Sequence, residues 1–110
     1  MSKKPKLKRQ KPLSGKQSRY LRGLGHHLPA LVILGKDGIT DSFLNSINEV
    51  LTAHELVKVK LLNTCPLDRI EASEELSNKT GAAVVQILGN TLLLFKENRK
   101  RSEDKRIELP

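Results

Sequence analysis

The chain has 110 residues, 20 of them Lys or Arg against 12 Asp or Glu, for a formal net charge of +8. That length makes one domain, which buries only about 60–70% of the surface its unfolded chain exposes and leaves little room for a deep two-domain cleft. One cysteine, Cys65, excludes an intramolecular disulfide and a Cys-rich zinc site, and no apolar run approaches the roughly 18 residues that span a bilayer.

Residues 1–12 (MSKKPKLKRQKP) have no periodicity and read as a disordered basic arm. The arm runs into Lys, Pro and Gln rather than an apolar stretch, so no secretory signal is expected, and the expected compartment is the reducing cytoplasm. Ser14 and Gln17 match a capping box and predict a helix starting there. At 100° per residue Gln17, Leu21, Leu24 and Leu28 share one face, with Arg19, Arg22 and His26 opposite and Lys16 at the margin. Leu31–Leu34 reads as a short strand buried on both sides and central in its sheet. Gly35-Lys36-Asp37-Gly38 follows as a tight loop, then a helix from the N-cap Thr40 to His54. Val57, Val59 and Leu61 alternate with Lys58 and Lys60, as in a strand with lysines on one face. A third helix from about Leu67 to Thr80 turns Ile70, Ser73, Leu76 and Thr80 inward, with Gly81 as its stop. Ala83–Leu88 and Thr91–Lys96 flank Gly89-Asn90 as a hairpin.

The order α-β-α-β-α-β-β predicts an α/β fold: one compact domain with a four-stranded mixed sheet, helices packed on it and a lysine-bearing patch of sheet open to water. Residues 13–97 form the domain. Residues 98–110 form a charged, mobile tail, with Ile107 and Leu109 able to dock back.

The charge is unevenly placed. Residues 1–22 hold nine bases and no acid, residues 23–95 five bases and eight acids, residues 96–110 six bases and four acids. This separation points to a polyanion held at one side of the domain. Tyr20, Phe43 and Phe95 are the only aromatic residues, too few to fill a core and also stack bases, so an RNA partner is expected to be gripped by its backbone.

The strand-GxxG-helix unit supplies a means. Glycines at both ends of the loop let the backbone turn sharply and remove side chains that would hold a phosphate away, and the following helix offers N–H groups and a partial positive charge. Lys36 adds a cation; Asp37 and Asp41 must point elsewhere.

The strings LSGKQSRYLRGLGHHL, ILGKDGIT, HELVKVK, TGAAVVQILGNTLLLFK and RIELP, in this order over residues 13–110, resemble the CRM domain (chloroplast RNA splicing and ribosome maturation), and within it the stand-alone bacterial YhbY-like proteins. The resemblance implies a fold similar to the C-terminal domain of a bacterial translation initiation factor. It also implies RNA binding, with ribosomal RNA or a precursor of the large ribosomal subunit as partner. Carried over residue by residue, the RNA-binding set is Lys16, Arg19 and Arg22 on the first helix, Gly35, Lys36, Asp37 and Gly38 in the loop, and Lys58 and Lys60 on the strand. The chain departs from the family's habit at Gly25, where Ala is usual, at Asn90, and at Phe95-Lys96, where Tyr-Arg is common.

His26, His27 and His54 do not make a metal site, because adjacent helical residues point about 100° apart. The acids suit solvated helix faces rather than a catalytic cluster, so neither catalysis, nor a cofactor, nor a small-molecule substrate, nor a membrane is expected. The alternative is a general nucleic-acid or protein-interaction module that uses the same basic helix.

Overall fold

The computed structural model describes residues 8–110, in which seven regular elements follow one another: α1 (Gly15–Gly25), β1 (Val32–Leu34), α2 (Asp41–His54), β2 (Leu56–Leu61), α3 (Arg69–Thr80), β3 (Ala83–Leu88) and β4 (Thr91–Phe95). Local chemistry sets their ends. Ser14 Oγ accepts from the Gln17 N–H, and Gln17 Oε1 accepts from the Ser14 N–H, each at 3.1 Å. Thr40 Oγ1 accepts from the Phe43 N–H at 3.0 Å at the start of α2. Gly81 closes α3 in the left-handed region at φ 80°, where a side chain would cost about 1–2 kcal/mol.

The sheet order is β1-β2-β4-β3, with β1 parallel to β2 and β4 antiparallel to both of its neighbours. β4 is thus inserted between two strands of the same direction. Helices α2 and α3 cover one face, burying Ile47, Leu51, Ala72 and Leu76 against Val57, Val59, Leu92 and Leu94. Helix α1 lies on the other, where Leu21 packs with Leu56, Leu93 and Phe95. Burying Leu21 contributes about 1.5–3 kcal/mol and fixes α1 to the sheet.

Four expectations change. Strand β1 is an edge, not a central strand: α1 packs over β2 and β3 and leaves β1 uncovered on that side, so Leu31 and Ile33 are 54% and 57% exposed. Helix α3 begins at Arg69 behind the N-cap Asp68; Ser73, Leu76 and Thr80 are buried as expected, but Ala72 joins them while Ile70 is half exposed.

The arm is the third change. Residues 1–7 lie outside the described residues, but the disorder expected for 1–12 does not extend to Gln10. Its N–H donates to the Gly81 carbonyl at 2.8 Å, and its Oε1 accepts from the Glu97 N–H at 2.7 Å.

The tail is the fourth only in part: its chain is pinned rather than mobile, but the docking allowed for Ile107 and Leu109 is found. Ile107 and Leu109 dock into the α1 side of the core, and a buried carboxylate holds the chain that leads to them. Glu55, fully buried at φ 64° between α2 and β2, accepts from the N–H groups of Asn98 and Ile107 at 2.8 and 2.9 Å and from Arg101 Nη1 at 3.2 Å.

Candidate nucleic-acid interface

The open part of the sheet lies on the α1 side. Along β2 the side chains at odd positions enter the core, so Lys58 and Lys60 face away from α2 and α3. Beside them stand Ile33, paired with Lys60, and Leu93, paired with Lys58. The C-terminal end of α1 borders this face. Gly25, His26, Lys58, Gln86, Leu88, Thr91 and Leu93 line a shallow hollow with no carboxylate among them.

Gly25 makes this approach possible. A Cβ there would lie 2.6 Å from Leu93 Cδ2, so the glycine lets α1 press on β4 rather than merely loosening the helix. Arg22 lies one turn before His26 on the same helix side and is exposed. Arg19 projects from the outer side of α1. Lys16 stands apart, in the first turn, about 9 Å along the axis from Arg22. Gln17 of that turn donates to the Pro110 carbonyl of the docked tail.

The GxxG loop sits at the other end of the open face. The Leu62 N–H donates to the Leu34 carbonyl at 2.9 Å, immediately before Gly35. The Leu61 N–H donates to the Asn90 carbonyl at 2.7 Å, which brings the hairpin tip to the same end. The loop is a hydrogen-bonded turn, Gly38 N–H to Gly35 carbonyl at 3.1 Å, with Lys36 and Asp37 exposed at its apex. Asp41 lies in the first turn of α2, where a carboxylate complements the helix dipole.

Of the two glycines, the turn itself requires only Gly38. Gly38 is buried with φ 67°, and a Cβ on it would lie 3.3 Å from Pro66 Cγ. Gly35 has no positive φ, and a Cβ there would meet Leu62 Cδ1 at an ordinary 3.6 Å. Gly38→Ala should therefore lower stability by about 1–2 kcal/mol, while Gly35→Ala should stay within about 0.5 kcal/mol of the parent. Urea denaturation midpoints of the two variants check this contrast.

The structure thus joins Arg22, Lys58, Lys60 and the loop carrying Lys36 along one face, with Arg19 on the outer rim. Sequence reasoning missed Arg69. It opens α3 and donates to the Gly89 carbonyl at 3.4 Å, placing a further cation by the hairpin tip. Only the packing of α3 against the hairpin reveals that proximity. Of the chain's departures from the family's habit, Phe95 is fully buried in the α1-side core, so a phenol at that position would have no outlet on the open face. The three histidines are exposed, and among the described residues no three His, Cys, Asp or Glu side chains gather as a metal site would require.

Comparison with known proteins identifies relatives of the whole arrangement. The family model of the CRS1/YhbY (CRM) domain matches residues 13–96. The chain is 42% identical over 98 residues to YqeI of Bacillus subtilis, named a probable RNA-binding protein, covering 89% of this chain and 99% of that one. It is 38% identical over 98 residues to a Haemophilus influenzae protein named RNA-binding protein, covering 89% and 95%. The solution structure of SAV1595 from Staphylococcus aureus superposes with a TM-score of 0.73 at 36% identity, covering 90% of this chain and all of that one.

Proposed function

The chain belongs to the CRS1/YhbY (CRM) domain family, and from that footing we propose that it is a non-catalytic RNA-binding protein that contacts ribosomal RNA and assists assembly of the large ribosomal subunit. The observation that carries the RNA reading is the carboxylate-free sheet face on which Lys58 and Lys60 stand between α1 and the GxxG loop. Its cations are separated rather than clustered, which suits successive phosphates better than a single anion. Relatives named as RNA-binding proteins along nearly their whole length support the same reading. The ribosomal target rests on the likeness to YhbY-like proteins alone.

Recognition on this account is mainly of the backbone, since no Phe, Tyr or Trp lines the open hollow and the His26 imidazole is its one ring. If the open face alone neutralises four to six phosphates, its contacts should contribute about −3 to −4 to the slope of log affinity against log salt. Titration of a structured ribosomal RNA fragment, with duplex DNA as competitor at matched salt, tests this. Tight, salt-dependent binding that DNA does not displace is the expected result. A flat salt response or equal preference for DNA would contradict it, and RNA cleavage by the homogeneous protein with Mg²⁺ would contradict the non-catalytic role.

A further inference from the structure

A second collection of cations lies outside the face described above. The seated end of the arm and the chain leaving β4 run beside each other over α2 and enclose a groove of about 750 Å³. Lys8, Arg9 and Lys11 line it from one side, and Lys96, Arg99 and Lys100 from the other, over a floor of Asn48, Leu51 and Thr52. Its one acid, Glu97, is held by Arg106. Among the described residues none of the six bases forms an ion pair. Glu103 and Glu108 line the adjoining hollow, not this one.

Both walls are pinned. Gln10 ties the arm to Gly81 and to Glu97. A Cβ on Gly81 would lie 2.4 Å from the Lys8 carbonyl oxygen, so the glycine is what lets the arm cross the end of α3. On the other wall, Asn98 Nδ2 donates to the Thr52 carbonyl at 2.8 Å, and Lys96 Nζ to the Thr80 carbonyl at 2.7 Å. Partial burial lowers the Lys96 ammonium from its ordinary pKa. The groove sits where β2 begins and β4 ends, next to Glu55, whereas the GxxG loop sits where β2 finishes. The length of β2 separates them by about 15–20 Å.

We propose that this groove is a second site for a ribose-phosphate chain, occupied by a stretch of RNA other than the one on the open sheet face, so that one small domain grips two segments. The inference rests on the RNA-binding reading above. An acidic peptide fits less well, because among the described residues Leu51 is the groove's only large apolar side chain and offers no pocket for side-chain anchors. Successive phosphates need only spaced cations and polar donors, which Asn48 and Thr52 supplement.

The test compares Lys11→Gln/Arg99→Gln/Lys100→Gln with Lys58→Gln/Lys60→Gln, and with both sets combined, on a multi-helix ribosomal RNA fragment long enough to reach both sites. The groove variant should bind roughly 10- to 100-fold more weakly at physiological salt, with a salt slope shallower by about 2–3. Combined with the open-face variant, its loss should multiply, because distant sites are independent. If the groove variant keeps parental affinity and slope while the open-face variant weakens, the groove is overturned and the RNA reading stands. If the parent shows no salt-dependent RNA binding, both fall. A combined variant no weaker than the open-face variant alone would overturn the separate segment, and displacement of polyglutamate rather than RNA from the groove would assign it to acidic protein instead.

Discussion

Replacing Arg22, Lys58 and Lys60 together by glutamine should weaken RNA binding by roughly 100-fold near physiological salt and make the salt slope shallower by about 3. The magnitude follows from counterion release: each phosphate contact contributes a little under one unit of slope, and at such salt each unit is worth about fivefold in affinity. Lys58 lines the open hollow, Lys60 follows on the same side of β2, Arg22 lies one helical turn before His26, and none of the three makes an ion pair among the described residues. Glutamine keeps most of the aliphatic stem, including the part of Lys58 that is half buried. The urea midpoint should therefore remain that of the parent. A loss of affinity shared equally by all RNAs would mark backbone contact, whereas an altered preference among RNAs would mark base reading.

The largest effect on stability is expected at Glu55. Glu55→Ala removes the acceptor for two backbone N–H groups and Arg101 at a fully buried position. The cost should be about 3–5 kcal/mol, a large share of the total stability of a domain this size. Chemical denaturation should show the midpoint falling by about 1–2 M urea. Glu55→Gly separates the two features of the site, since glycine relieves the positive φ while still losing the carboxylate. It should be about 1 kcal/mol less damaging than Glu55→Ala. The same carboxylate holds Asn98, a lining residue of the arm-side groove, so both substitutions should also loosen that groove.

Local chemistry carried much of the fold. The capping box at Ser14, the N-cap at Thr40, the glycine stop at Gly81 and the Gly89-Asn90 hairpin each depend on residues a few positions apart, and each could be read without knowing the rest. Alternation along Val57–Leu61 likewise placed the lysines on one face. What stayed hidden depends on distant residues. Leu31–Leu34 is apolar throughout, and nothing in such a run tells a strand covered on both sides from an edge whose neighbour helix lies elsewhere. Glu55 reads as one more surface acid until Asn98, Arg101 and Ile107, some 43 to 52 positions away, close around it. Residues 8–12 of the arm, read as disordered for want of periodicity, are tied by Gln10, and the tail, read as mobile, is held by Glu55 together with Ile107 and Leu109.

The candidate site divides in the same way. Residue type and spacing identified the cations on α1 and β2. Only the register of β1 on β2, and the seat of Gly25 on Leu93, make them neighbours on one face. In the GxxG loop only Gly38 is held to glycine by its backbone, at φ 67° and close to Pro66, while Gly35 has room for a side chain. The loop still presents Lys36 at its apex.

Amide chemical shifts followed by NMR while a ribosomal RNA fragment is added would show residue by residue which face meets the RNA. The largest changes are expected at Arg22, His26, Lys58, Lys60 and Gly35–Gly38, appearing together and fading together as salt is raised. Changes confined to the acidic side of α3, around Glu71, Glu74 and Glu75, with the open face silent, would contradict the open-face reading.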